Sequence, residues 1–217
     1  MIKYMVFDLD GTLLDTITTI TYYVNLVLRR EGIPEISEQE CKYFVGNGAK
    51  TLIRRTMESR GITDEQTALR VWSEYNREYN LKPLYLTEPY EGIRELLSEL
   101  KKRGIRLAVL SNKPDEATVD IIPSFFPGVF DVVHGGREGI ALKPAPDGVF
   151  EIYREMGATA EETVYVGDTN VDMQTGKAAG ASLTVGVEWG FRTREELIEY
   201  GADVIVKKPL EILKLLN

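Results

Sequence analysis

Short apolar runs recur along the chain, and most of them lie next to a helical pattern. Tyr4-Met5-Val6-Phe7, with Gly11 close behind, predicts a buried strand that runs into a turn. Ile105–Leu110, Phe130–Val133, Thr163–Val166, Ser182–Val185 and Val204–Val206 predict five more strands of the same kind. Ile93, Leu96, Leu97 and Leu100 fall at i, i+3, i+4 and i+7, which predicts a helix that ends at Lys101-Lys102-Arg103 before Gly104. Alternation of strand and helix predicts an α/β fold built on a doubly wound parallel sheet with both faces covered.

Between residues 15 and 88 the alternation stops and four helical patterns replace it. Ile17, Ile20, Val24, Val27 and Leu28 form one apolar stripe; Ser37 with Glu40, and Thr63 with Gln66, match the signature of two helix starts; Gly48 opens another. A strand-helix-strand unit takes about 30 residues. Asp8 and Ser111 are 103 positions apart, so about 70 residues exceed one such crossover. The expected organisation is therefore an α/β core from residues 1–14 and 89–217 with a helical domain inserted at 15–88. No internal repeat appears.

Composition narrows the possible functions. The 217 residues carry 34 acidic and 26 basic side chains, a formal charge of −8, and no block of Lys and Arg, so a nucleic-acid partner is not expected. No apolar run approaches the ~20 residues that span a bilayer. With one cysteine, Cys41, and a start that lacks signal-peptide character, the chain reads as a soluble cytoplasmic protein. A single histidine, His134, leaves little room for imidazole chemistry, and acid or base work is expected of carboxylates.

Asp8-Leu9-Asp10-Gly11-Thr12 puts two carboxylates two residues apart at the end of the first strand. Ligand sites of open α/β sheets lie beyond the carboxyl ends of strands. Three further polar segments end or follow predicted strands: Ser111-Asn112, Lys143-Pro144 and Gly167-Asp168-Thr169-Asn170-Val171-Asp172. Carboxylates, one amine, a hydroxyl and an amide suit phosphoryl transfer assisted by Mg²⁺, a cation that prefers oxygen ligands and keeps some water. Asp8 and Asp168 would hold the cation, Lys143 would add positive charge, and Ser111 and Asn112 would hydrogen-bond the phosphate oxygens. This reading leaves open which of Asp8 and Asp10 is the nucleophile.

These four segments resemble, in order, the motifs of the haloacid dehalogenase superfamily: Asp8-x-Asp10-x-Thr12, Ser111, Lys143 and Gly167-Asp168-x-x-x-Asp172. The resemblance implies a Rossmann-like core, an aspartyl phosphate formed on Asp8, and Asp10 as the acid and then the base. It further implies Mg²⁺ bound by the Asp8 side chain, the Asp10 carbonyl and Asp168, with Asp172 and Thr12 supporting the site from behind. The helical insertion resembles the cap domain of that superfamily.

Each residue also has a plainer reading. Asp10 before Gly11 suits a turn, Ser111-Asn112 suits a helix cap, Asp172 suits a helix start, and Lys143 taken alone is a solvated charge. His134 is expected at a strand end or in a loop, and Trp72, Tyr75 and Tyr79 in the core of the helical domain. Val45-Gly46-Asn47-Gly48-Ala49, Arg137-Glu138-Gly139 and Trp189-Gly190-Phe191-Arg192 resemble stretches of phosphoglycolate phosphatases. That likeness implies specificity from Gly46, Asn47, Gly48 and Lys50, with Arg54 or Arg55 near a small anion. The expected activity is Mg²⁺-dependent hydrolysis of a small phosphate ester, 2-phosphoglycolate first. A β-phosphoglucomutase-type mutase, an inorganic pyrophosphatase and a non-catalytic binding module are the alternatives. Monomer and homodimer are both open.

Overall fold

The computed structural model describes residues 1–216. The chain divides into two compact units, Met1–Asp15 with Pro89–Asn217, and Thr16–Glu88. No helix among the described residues is long and apolar enough to cross a membrane.

The first unit is an α/β sandwich. Strands β1 (Tyr4–Phe7), β4 (Arg106–Pro114), β5 (Val132–Gly136), β6 (Thr163–Gly167), β7 (Leu183–Val187) and β8 (Val204–Val206) form one six-stranded sheet in the order β5-β4-β1-β6-β7-β8. Every neighbouring pair is parallel. Two-residue strands β2 (Leu14–Asp15) and β3 (Glu88–Pro89) pair with each other.

Side chains alternate across the sheet, as the strand period demands. Met5, Phe7, Leu107, Val109, Val164 and Val166 join one buried cluster with Leu96 and Leu97 of α5 (Ile93–Lys102) and Ile121 of α6 (Asp115–Phe125). Val6, Ala108, Leu110 and Tyr165 point the other way, onto Val149 and Ile152 of α7 (Asp147–Met156). Burial on both faces explains why these strands read as continuous apolar runs. Helices α8 (Asn170–Ala178) and α9 (Arg194–Glu199) complete the unit, with 3₁₀ turns at Ala160–Glu162 and Pro209–Leu216.

The second unit contains α1 (Ile17–Arg30), α2 (Glu38–Phe44), α3 (Ala49–Ser59) and α4 (Glu65–Leu81). Helix α1 packs on α2 and α4, and α3 on the same two. Tyr75 and Tyr79 are buried, with Trp72 half-buried beside them. Asn25, itself buried, exchanges two hydrogen bonds with the Ile36 backbone and so fixes the turn before α2. Ser37 and Glu40 form the expected reciprocal cap.

Three local expectations need correction. Helix α4 is capped by Asp64, whose carboxylate accepts from the Thr67 N–H at 2.8 Å, and not by Thr63. Asp64 holds the extended backbone that a cap requires, one residue further on. Strand β4 continues through Ser111 and Asn112 to Pro114, with a register irregularity after Leu110, where an end at Ser111 was expected. Strand β5 is displaced to Val132–Gly136, which puts His134 inside it and buried. Ionic partners on both ring nitrogens let that histidine sit there: Nδ1 lies 2.8 Å from Arg137 and Nε2 3.0 Å from Glu155.

Candidate active site

The carboxyl ends of β1, β4 and β6 lie side by side in the sheet, because β1 is hydrogen-bonded to both others. Asp8 follows β1 directly, and its N–H donates to the Val166 carbonyl of β6 at 2.9 Å. Asp168 follows β6, and Asp172 lies in the first turn of α8. Carboxylate oxygens of Asp8, Asp168 and Asp172 all lie within 4.8 Å of one another, and all three residues are buried.

Lys143 holds this group together. Its Nζ lies 2.7 Å from Asp8 Oδ1 and 2.7 Å from Asp172 Oδ1, with the side chain 3 % exposed. The lysine is held in turn by Asn112, whose Oδ1 accepts from the Lys143 N–H and whose Nδ2 donates to the Lys143 carbonyl, both at 2.9 Å. Asn112, expected as a phosphate ligand, thus has its side-chain amide engaged with the lysine backbone. Ser111 Oγ accepts from the Lys113 N–H at 3.1 Å.

The two carboxylates beyond β6 differ in what they have left to offer. Asp172 Oδ1 accepts from Lys143 and from the Tyr165 hydroxyl, and Oδ2 from the Thr169 N–H and hydroxyl. With two partners on each oxygen, its lone pairs are filled. Asp168 accepts one bond on each oxygen, from Thr12 Oγ1 at 3.0 Å and from the Phe191 N–H at 2.8 Å, so each oxygen keeps a free lone pair. A cation among the three acids would therefore take oxygens of Asp8 and Asp168, while Asp172 orients Lys143.

Electrostatics point the same way. Burial pushes the Asp8 carboxyl well above the usual carboxylate range, Asp172 and Asp168 push it further, and Lys143 opposes them. Burial lifts Asp168 to about 7, with Asp172 adding to the rise and the Phe191 N–H and Thr12 hydroxyl resisting it. Burial alone would lower the Lys143 ammonium, yet Asp172 and Asp8 outweigh it and hold the group well above its ordinary value. Three buried acids facing one amine are short of positive charge, and all their oxygens are hard donors. Mg²⁺ fits that set.

Asp10 stands apart from this group. Both its oxygens face Lys113 Nζ, at 3.2 and 3.1 Å, and its side chain is 19 % exposed. Lys113, Tyr165 and Phe191 were not anticipated as site residues. Lys113 lies two positions beyond Ser111 on the same strand, which is the one sequence signal that could have suggested it. Gly46, Asn47, Gly48 and Lys50 belong to the helical unit. Gly48 precedes α3, Lys50 lies in its first turn, and Asn47 Oδ1 accepts from Arg55 at 2.9 Å.

Known proteins resemble this chain over nearly its whole length. Residues 5–185 match the family model described as haloacid dehalogenase-like hydrolase. A phosphoglycolate phosphatase of Aquifex aeolicus is 28 % identical over 216 residues, covering 99 % of this chain and 97 % of the relative. Another, from Cereibacter sphaeroides, is 36 % identical over 191 residues, covering 87 % and 86 %. Among solved structures, a protein of Lactobacillus delbrueckii subsp. bulgaricus superposes with a TM-score of 0.91 at 30 % identity, over 99 % of this chain and 98 % of that one.

Proposed function

The chain belongs to the haloacid dehalogenase-like hydrolases, as a phosphatase similar to phosphoglycolate phosphatases, and from that premise we propose that it hydrolyses a small phosphate monoester, 2-phosphoglycolate first, through an aspartyl phosphate on Asp8. The observation that carries this reading is the Lys143 ammonium bound at once to Asp8 and Asp172, at the carboxyl end of the central strand. A carboxylate that approaches a phosphate meets repulsion of about 5.5 kcal/mol per unit charge pair at 3 Å and an effective dielectric of 20. Asp8, the Asp10 carbonyl and Asp168 would hold Mg²⁺, which would supply charge that offsets this repulsion.

The chain's own residues do the rest. Lys143 keeps one Asp8 oxygen fixed and adds positive charge, leaving the other oxygen to attack phosphorus. The Ser111 hydroxyl can donate to a non-bridging oxygen while its lone pair holds the Lys113 N–H. As the bond from Asp8 to phosphorus forms, the bond to the leaving oxygen breaks and that oxygen takes a proton from the Asp10 carboxyl. In the second half, Asp10 takes a proton from water, the water oxygen attacks phosphorus, and the bond to Asp8 breaks, releasing phosphate.

The test is phosphate release from 2-phosphoglycolate with Mg²⁺, run beside 4-nitrophenyl phosphate and the Asp8→Asn variant. Preference for 2-phosphoglycolate, abolished by Asp8→Asn, is expected. Turnover of the aryl ester alone removes the substrate assignment and keeps the chemistry. A phosphomutase of the β-phosphoglucomutase type would instead isomerise a sugar phosphate with little net phosphate release.

A further inference from the structure

Trp189-Gly190-Phe191 follows β7, and the roles proposed above make no use of it. Within the α/β unit, Phe191, Gly190, Gly11 and Thr12 each meet Asp168, and Trp189 holds Thr12. The Phe191 N–H donates to Asp168 Oδ2 at 2.8 Å. Trp189 Nε1 donates to the Thr12 carbonyl at 3.0 Å, and the hydroxyl of that same Thr12 donates to Asp168 Oδ1 at 3.0 Å. Gly190 lies flat against the carboxylate: a Cβ there would overlap Asp168 Cβ and Oδ2. Gly11, at φ +90°, closes the other side, where a Cβ would overlap Asp168 Oδ2 and meet the Phe191 ring at 2.8 Å. Asp168 and Thr12 are fully buried, and Phe191 is 8 % exposed.

We propose that Trp189-Gly190-Phe191 is the positioning element for Asp168, a backbone clamp that sets which Asp168 lone pairs face the metal. The inference rests on the reading of Asp168 as a metal ligand. The segment makes its contacts through a backbone N–H, a missing side chain and an indole N–H. The first two orient the Asp168 carboxylate directly and the third acts through Thr12, none of them competing for the cation. Metal ligands held by such outer contacts lose roughly 10–100-fold in metal affinity when the contact is disturbed. The likeness of Trp189-Gly190-Phe191-Arg192 to phosphoglycolate phosphatases then reflects metal positioning and not substrate recognition.

The experiment is calorimetric titration of the full-length, metal-stripped protein with Mg²⁺ alone, for wild type, Gly190→Ala, Trp189→Phe and Asp168→Asn. Gly190→Ala is expected to weaken Mg²⁺ binding roughly 10–100-fold, and Trp189→Phe, which keeps an aromatic side chain but loses the pyrrole ring with its N–H, by less. At saturating Mg²⁺, KM for 2-phosphoglycolate stays within about twofold of wild type in Trp189→Phe, because uniform substrate binding is untouched. Cooperative thermal unfolding in EDTA checks that each variant folds; if Gly190→Ala does not fold, Trp189→Phe decides. Unchanged Mg²⁺ affinity in the folded variants, or a raised KM at saturating metal, overturns the proposal. If Asp168→Asn also binds Mg²⁺ like wild type, the metal-ligand reading itself fails, and the two failures are thereby told apart.

Discussion

The helical unit and the end of the α/β sheet use charge in opposite ways. In the helical unit most ion pairs lie on the surface, among them Arg30–Glu78 at 2.7 Å, Arg70–Glu31 at 2.6 Å and Arg54–Glu58 at 3.4 Å, with arginines 46–62 % exposed, while Arg60–Glu40 is partly buried. Its interior is closed by aromatic and aliphatic contacts such as Tyr23 on Tyr79, with ring centroids 5.4 Å apart. At the sheet end, Asp8, Lys143, Asp168 and Asp172 are all buried, and Lys143 bonds Asp8 and Asp172 together. Exposed pairs contribute little to stability, whereas buried acids in excess of their counter-charge are destabilising. The contrast marks this cluster as the candidate site without reference to any ligand.

Substitution at Asp8 breaks the comparison most sharply. Asp8→Asn is expected to lower kcat on the order of 10⁴-fold or more, because loss of the proposed nucleophile disables the whole residue set. The same variant is expected to melt no lower than wild type in EDTA, since it removes a buried charge whose ionisation is disfavoured. Phosphate-release kinetics and a thermal melt read the two effects separately.

Lys143→Met comes next. It leaves Asp8 and Asp172 buried without their shared cation, a loss of about 3–5 kcal/mol. Urea denaturation in EDTA measures it. A loss below 1 kcal/mol would mean that the cluster is better solvated than its burial indicates.

Metal removal tests the same imbalance through pH. Asp168 holds its proton up to about 7 in the folded state, while an unfolded aspartate releases it near pH 4. Across that window the folded chain binds more protons, so stability without metal declines as pH rises from about 4 to about 7. Mg²⁺ at a hundredfold excess over its Kd should restore about 2.7 kcal/mol. The same Mg²⁺ concentration is expected to give a larger gain at pH 8 than at pH 5, because at the lower pH protons compete for Asp168 and raise the apparent Kd. Denaturant titrations at the two pH values check both signs. In the helical unit, by contrast, Arg30→Ala should move the melting midpoint by no more than about 2 °C and should not change turnover.

Much of this was legible in the sequence for a physical reason. Asp8, Ser111 and Asp168 each stand where a fully buried apolar strand meets its first polar residues, and period-two burial makes such junctions visible along one dimension. Lys143 was legible only by its place in the set. What stayed hidden depends on contacts across the fold. The pairing of Lys113 with Asp10 spans 103 positions, and the contact of Phe191 with Asp168 is made by a backbone N–H, which no side-chain identity announces. His134 reads as a strand-end or loop residue before two glycines, yet Arg137 and Glu155 from other elements let it sit inside β5. The one-residue error at Asp64 arose because Thr63 and Asp64 are both competent caps, and only backbone geometry chooses between them.

The central claim is that the buried acid cluster forms a covalent phosphoenzyme on Asp8. Rapid acid quench of wild-type enzyme mixed with 2-phosphoglycolate and Mg²⁺, followed by peptide mass spectrometry, tests it most directly. The account predicts one added phosphoryl group on the peptide that carries Asp8, appearing and decaying within the first turnovers and missing in Asp8→Asn. Steady phosphate release with no phosphorylated peptide at any quench time, or a phosphoryl group on Asp10, would contradict it.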